Sequence, residues 1–414
     1  MSTKSRDDIS IAMIIPNFPP LSSGGAELQC LKLSRALIRE GVRVLVVTQG
    51  QRNLPKNDVV DGVPVYRIFS ILNSLWQLLA RFKKKLIKPR KTKTIFDYSS
   101  ATTAESPGQK IHFFLICYAI VFCINAFFVL WKRRHELQLI HVHSLEWAGI
   151  TGAIIGKLLN KPVLIKDATM NGIERLQKYP FGLHLQKFII DNCYCIALTR
   201  AIEKTFTTTG VSSNRIFRIP NGIELPDDRP LKPNFEFKAL FVGNLYQQPA
   251  KGIDILLKAW PLVLHKFPQA TLEIVGDGNL DDYRKHIENL GIASSVCFLG
   301  KVIRITEKYL SADIFVLSSR REGMSNALIE AMAHGLPCVA TDISGSQDLI
   351  KPGENGILVP VDDVEKLADG ILYLFANPDQ ARQMGIQARA TIEQTCDFKK
   401  VVPQYLNIYR KLTC

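Results

Sequence analysis

Residues 321–350 read REGMSNALIEAMAHGLPCVATDISGSQDLI. Just before them runs Asp313-Ile-Phe-Val-Leu-Ser-Ser319, an apolar segment of the kind that forms a strand buried on both faces in a parallel sheet. A polar turn follows, and then a helix. The helix is expected to open near Ser325 and Asn326 and to stop at Gly335-Leu-Pro337. Glycine is a usual helix C-cap, and proline cannot continue a helix. Cys338-Val-Ala-Thr341 reads as the next strand. Glu322 lies before the helix and Glu330 inside it, so both carboxylates are expected at the carboxyl end of the first strand. Open α/β sheets take their ligands there. Ser325 and Asn326 can cap the helix, whose free N–H groups suit an anion such as pyrophosphate.

Two carboxylates beside a phosphate site are explained by hydroxyl groups. A ribose or hexose donates hydrogen bonds that a carboxylate accepts. The residues therefore read as a nucleotide-sugar pocket, against the plainer alternative of a solvated helix start with surface acids. Glu322-Gly-Met-Ser-Asn-Ala-Leu-Ile-Glu330 followed by Ala-Met-Ala-His-Gly-Leu-Pro-Cys-Val-Ala-Thr resembles the E-x7-E signature of the retaining family 4 glycosyltransferases of GT-B fold. The usual form of that signature is E-G-x-x-x-x-x-x-E-A-M-A-x-G-x-P-V-V-A-T.

The bulk composition is that of a large globular protein. A chain of 414 residues exceeds a single core of common size and fits two domains. Hydrophobic residues make up 47% and charged residues 22%, an ordinary globular balance. The polar start Met-Ser-Thr-Lys-Ser-Arg-Asp-Asp does not read as a signal peptide. The nine cysteines are scattered and lack zinc-ligand spacing, so they read as buried free thiols in a reducing cytoplasm, and no metal is expected.

Charge is uneven. Of the net +14, the segment 62–135 contributes +11, from thirteen Lys/Arg against Asp97 and Glu105. A local basic face implies an anionic partner, either lipid or nucleic acid. The aromatics of this segment sit within long apolar runs, and no nucleic-acid-binding module is recognisable, so nucleic acid is disfavoured. Residues 71–86 form an amphipathic pattern with Leu72, Leu75, Trp76, Leu79 and Phe82 on one face. Lys88-Pro-Arg-Lys-Thr-Lys93 and a Ser/Thr-rich piece reaching Gly108, expected as a mobile loop, come next. The nineteen residues from Phe113 to Trp131 carry no formal charge and are followed by Lys132, Arg133 and Arg134. Their length meets that of a membrane span. A crossing would separate strands that belong to one sheet, so a buried helix or an interfacial surface fits better. Trp76, Trp131 and the lysines favour docking at an anionic membrane surface.

The chain opens with a β-α-β pattern. Ile9-Ser-Ile-Ala-Met-Ile-Ile15 is the first strand, a loop through Pro16, Pro19, Pro20, Gly24 and Gly25 follows, and a helix over 28–40 leads to Val44-Leu-Val-Val47. The loop lacks G-x-G-x-x-G spacing, so a dinucleotide fingerprint is absent. His141-Val-His143 ends a strand with both imidazoles on one face, and Lys161-Pro-Val-Leu-Ile-Lys166 is the next strand, followed by Asp167. Helices are expected over 364–376, 379–394 and 398–412.

The resemblance implies an α/β GT-B fold with two Rossmann-like domains facing a cleft. The N-terminal acceptor domain would span 1–223, the linker 224–237, and the nucleotide-sugar domain 238–397. A helix over 398–414 would cross back to the first domain. It implies sugar transfer with retention of configuration, without a cofactor or metal. In it Lys251 holds phosphate, Glu330 the ribose hydroxyls and Glu322 hydroxyls of the donor sugar. The amides of Gly323, Met324, Ser325 and Asn326 position the diphosphate, while Gly25, Asn244 and Gly276 line the donor site. Asn244 stands where the family carries Arg. The family's acceptor-side His is missing near Ala168, which leaves His143 and Asp167 as acceptor-side candidates, Asp167 with a loop-ordering role as its alternative. Glu322, Lys251 and Asp167 are the catalytic candidates. The basic flank implies a lipid-linked or surface-glycan acceptor and a place at the inner face of the cytoplasmic membrane. The alternatives are a nucleotide-sugar epimerase of the same architecture and a catalytically silent nucleotide-sugar-binding protein.

Overall fold

The structure, a computed structural model, describes residues 9–22, 24–51, 53–69, 109–167, 172–179, 181–226, 235–246, 249–278 and 281–413, with the side chains of 109–116, 118, 281 and 282 left aside. The amphipathic segment 71–86, the basic run to Lys93 and the Ser/Thr-rich piece to Gly108 lie outside the described residues, as do 168–171 and most of the expected linker. The chain divides into two compact units. The first holds the described residues up to Gly222 together with those of Val401–Cys414, and the second is built on Ile223–Lys400.

The first unit is an eight-stranded sheet. Its strands are β1 (Ser10–Ile14), β2 (Arg43–Gln49), β3 (Asn57–Val60), β4 (Val63–Ile68), β5 (Leu139–Val142), β6 (Val163–Asp167), β7 (Tyr194–Ala197) and β8 (Ile216–Arg218). Their order is β3-β4-β2-β1-β5-β6-β7-β8, parallel throughout except for the β3/β4 hairpin. That hairpin turns at Asp61 and Gly62, both at positive φ (48° and 81°). Two left-handed residues match the twist of a tight hairpin.

The helix Trp147–Leu159 carries glycines at 149, 152 and 156. A Cβ on Gly152 would stand 2.3 Å from Val142 Cγ2, and one on Gly156 2.0 Å from Val163 Cγ2. The glycines therefore let this helix lie directly on β5 and β6. On the opposite face of those strands, His141 and His143 point toward the C-terminal helix Phe398–Thr413, where Tyr409 Oη is 2.8 Å from His141 Nδ1.

The apolar run read between 113 and 131 lies in a helix, Gln109–Lys132. Among the described residues, no helix is long and apolar enough to cross a membrane. The helix is two-faced. Phe122, Ala126, Val129 and Leu130 are buried, and Phe122 packs edge-on against Trp147 at 5.0 Å. Ile120 (53%), Ile124 (51%), Phe128 (54%) and Trp131 (43%) are exposed at spacings of four, four and three residues, which places them on one stripe. Arg134 covers the Trp131 ring at 4.4 Å.

The second unit is a six-stranded parallel sheet: β9 (Lys238–Val242), β10 (Thr271–Val275), β11 (Val296–Gly300), β12 (Ile314–Leu317), β13 (Cys338–Thr341) and β14 (Ile357–Val359). Its order is β11-β10-β9-β12-β13-β14. All four residues of β12 and all four of β13 are buried, as continuous apolar runs require. Trp260, Phe241, Leu272, Ile314 and Phe375 belong to its core.

Candidate functional site

In the second unit the chain runs outward from β9 through β10 to β11, then returns to β12 and proceeds the other way through β13 to β14. The neighbours β9 and β12 therefore form the switch point, and the loops at their carboxyl ends diverge to leave a crevice. The residues singled out by the 321–350 stretch gather at this place.

Lys251 Nζ contacts Glu322 Oε1, and Ser319 Oγ donates to the same oxygen at 3.0 Å. Both side chains are mostly covered, Lys251 at 15% and Glu322 at 14% exposure. An ammonium and a carboxylate at the mouth of a parallel sheet offer one partner for phosphate and one for sugar hydroxyls. The Lys251 loop is fixed along its backbone. The carbonyls of Pro249, Ala250 and Lys251 accept from Arg320 Nη1 (2.7 Å), the Arg320 N–H (2.8 Å) and Ser318 Oγ (3.2 Å) in turn. The Arg320 guanidinium also donates twice to Asp254 at 2.7 Å and once to Asp362 at 2.6 Å. Gly252, next in the chain, has φ +62°. A Cβ there would stand 1.9 Å from the Ser318 carbonyl oxygen. Only glycine fits both demands.

Past Glu322, the residues Gly323, Met324 and Ser325 are buried and lead into the helix Asn326–Ala333. Ser325 is its N-cap, with Oγ accepting from Leu328 N at 3.4 Å, as the sequence predicts. The helix ends at Gly335, at φ +68°. Glu330 lies one turn inside, where Tyr309 Oη donates to its Oε2 at 3.1 Å. Burial and the Glu330 charge push the Tyr309 phenol well above its usual range. His334 stacks on the Tyr309 ring at 4.9 Å, and its Nδ1 is 2.7 Å from the Glu330 carbonyl oxygen. The sequence gives no hint of Tyr309, because it reaches Glu330 from a separate helix, Ile305–Ser311.

Two donor-side candidates serve their own loops. Asn244 is exposed, and its Oδ1 accepts from Tyr246 N at 2.9 Å. Gly276 follows β10 and presses against the Gly243 carbonyl.

The first unit has its own switch point, between β1 and β5. Gly25 opens the helix Gly25–Arg39 beyond β1, and His143 follows β5. The His143 and His141 rings stack at 4.4 Å, on the sheet face that also carries Lys166. Burial, helped by the neighbouring positive charges, holds His141 down to about 3 and His143 well below the usual imidazole range, so both are neutral. Burial also lowers Lys166 to about 8. Among the described residues, His143 Nε2 is buried without a hydrogen-bond partner. The Asp167 carboxylate lies against the backbone of Gly172, where an added Cβ would stand 2.3 Å from Oδ2. That contact fits the loop-ordering alternative. Among the described residues no group of three or more His, Cys, Asp or Glu is placed to hold a metal ion. The cysteine thiols at 30, 193, 195, 338 and 396 are buried, whereas Cys297 is exposed.

Two Rossmann-like parallel sheets in one chain, the second carrying an E-x7-E segment at its switch point, define the GT-B class. Residues 236–377 match the family described as glycosyl transferases group 1. Its relatives include an uncharacterized glycosyltransferase of Haemophilus influenzae, 33% identical over 215 residues, which are 51% of this chain and 60% of that protein. An uncharacterized glycosyltransferase of Methanocaldococcus jannaschii is 25% identical across 97% of this chain and 98% of its own. Among solved structures, the Anabaena protein HepE in complex with UDP-glucose superposes with a TM-score of 0.72 at 20% identity, covering 98% of this chain and all of that one.

Proposed function

We propose that this protein transfers a sugar from a nucleoside-diphosphate sugar to an acceptor hydroxyl with retention of anomeric configuration. The observation that carries the reading is the convergence of Lys251 and Glu322 at the β9/β12 switch point, directly before the Ser325-capped helix. The bond between the sugar's anomeric carbon and the diphosphate oxygen breaks, and a bond to the acceptor oxygen forms. Lys251 neutralises charge on the departing diphosphate, with the amides of 323–326 beside it. Glu322 accepts hydroxyls of the donor sugar, and Glu330 those of the ribose. The departing phosphate oxygen takes the acceptor's proton, which delivers the acceptor to the face the diphosphate leaves. Trapping a sugar covalently on an Asp or Glu would overturn that last step. HepE, solved with UDP-glucose, supports a nucleotide-sugar donor of this kind.

The first unit takes the acceptor, with His143 and Asp167 on its side of the reaction. We read the acceptor as lipid-linked and the protein as docked on the inner face of the cytoplasmic membrane. The exposed stripe Ile120, Ile124, Phe128 and Trp131, ending in Lys132, Arg133 and Arg134, supports this. It joins apolar area to cations and an interfacial tryptophan, the combination that anionic bilayer surfaces attract.

The test is calorimetric titration of UDP, GDP and ADP into the protein and into Glu330→Ala. Preference for one nucleotide, lost in the variant, is expected. No binding of any of the three would refute the donor site and leave a silent protein. An epimerised nucleotide sugar formed without acceptor would refute the transfer.

A further inference from the structure

Glu330 is held by more than its own helix. Its carbonyl oxygen accepts from the His334 N–H at 3.1 Å and lies 2.7 Å from His334 Nδ1. Its carboxylate receives the Tyr309 phenol at 3.1 Å, and the Tyr309 ring is clamped between His334 at 4.9 Å and Phe315 at 6.2 Å. Tyr309 is fully buried and comes from a different helix, so it cannot follow Glu330 if the carboxylate swings. A glutamate side chain is otherwise among those with most rotamer freedom to lose. A carboxylate that is to accept from two vicinal hydroxyls must have its plane fixed, because each oxygen offers acceptor sites in defined directions.

We propose that Tyr309 is a positioning residue: its O–H fixes the Glu330 carboxylate in the orientation that receives the ribose hydroxyls, and so sets the preference for a ribonucleotide over a 2′-deoxyribonucleotide. The inference rests on the reading that Glu330 meets the ribose. The phenol stays protonated across the working pH range, because burial and the Glu330 charge both oppose its ionisation. It therefore remains a donor wherever Glu330 is ionised.

The experiment is calorimetric binding of UDP, GDP and ADP and of their 2′-deoxy counterparts to the parent protein, Tyr309→Phe and Glu330→Ala. The parent is expected to favour the preferred ribonucleotide over its deoxy form by about tenfold or more, the usual scale of a hydrogen bond to a charged group. Glu330→Ala should bring that ratio near one. Tyr309→Phe should cut it several-fold while leaving affinity for the deoxy form almost unchanged. A purely structural role would weaken both nucleotides together and keep the ratio. If the ratio collapses in Glu330→Ala but persists in Tyr309→Phe, the inference is overturned while the ribose reading stands. If it persists in Glu330→Ala, the ribose reading itself is overturned. Should Tyr309→Phe fail to fold, Glu330→Asp serves instead. It keeps the charge but is one methylene shorter and loses Tyr309, so a ratio retained there would equally overturn the proposal.

Discussion

His141 makes the first unit sensitive to acid. Its ring is buried between the sheet and the C-terminal helix, facing His143 at the end of its own strand and Lys166 on the neighbouring one and lying near Tyr405 and Tyr409; the same cluster reaches Cys30 through Lys166. Burial, with the Lys166 ammonium as the lesser cause, lowers it from 6.5 to about 3. Between these values the unfolded chain binds a proton that the folded chain refuses. Stability therefore rises with pH across the window from about 3 to 6.5 and falls as acid is added. At pH 5 the unfolded histidine is almost fully protonated and the folded one is not, which costs about 2 kcal/mol relative to pH 7 for this single group. His141→Asn keeps a polar partner for Tyr409 and cannot titrate. Urea unfolding of parent and variant at pH 7, 6 and 5, followed by tryptophan fluorescence, isolates the effect in the difference between them. The variant's relative stability should improve by about 2 kcal/mol from pH 7 to 5. A difference that stays constant over that range would refute the neutral buried imidazole.

The other predictions concern separate sites. Lys166→Met should stabilise the protein at pH 7 by up to about 3 kcal/mol, because the folded lysine at about 8 sits below its unfolded 10.5. The gain should shrink between pH 8 and 10.5, where the unfolded lysine keeps a proton the folded one has released, and denaturation at pH 7, 9 and 10.5 reads it. Gly252→Ala should lower diphosphate affinity in calorimetry and turnover in a sugar-transfer assay, since the Ser318 carbonyl must move and the Lys251 loop with it. Lys251→Ala should reduce the transfer rate about a hundredfold, the scale of losing one group that stabilises developing charge. Replacing Lys132, Arg133 and Arg134 by glutamine, together with Trp131→Ser, should weaken sedimentation with phosphatidylglycerol vesicles, and unchanged binding would sink the docking face.

Much of the second unit was legible because its strands are buried on both faces and read as unbroken apolar runs. The turn between β12 and the helix Asn326–Ala333 carries its own capping residues, so Ser325 and Gly335 marked the ends correctly. The first unit was harder. The β3 strand, Asn-Asp-Val-Val, is too short and polar to read as a strand, although Asp61-Gly62 is the dipeptide that signals such a turn. The helix Trp147–Leu159 shows no helical periodicity, because it is apolar nearly all round and broken by glycines, which disfavour helix locally. Packing overrides that preference, since side chains at 152 and 156 would collide with Val142 and Val163. The partners of the candidate residues were not legible at all. Tyr309 lies 21 residues from Glu330, and Tyr409 lies 268 from His141, and only the folded chain brings each pair together.

The anchoring of Pro249, Ala250 and Lys251 onto Ser318 and Arg320 ties the cation to a neighbouring loop. Among the described residues, the backbone of the Lys251 loop is held through three carbonyls, a glycine that admits no substitute, and an arginine tied to Asp254 and Asp362. The lysine therefore takes its position from the loop after β12, and a change at Arg320 would shift the cation without touching its side chain.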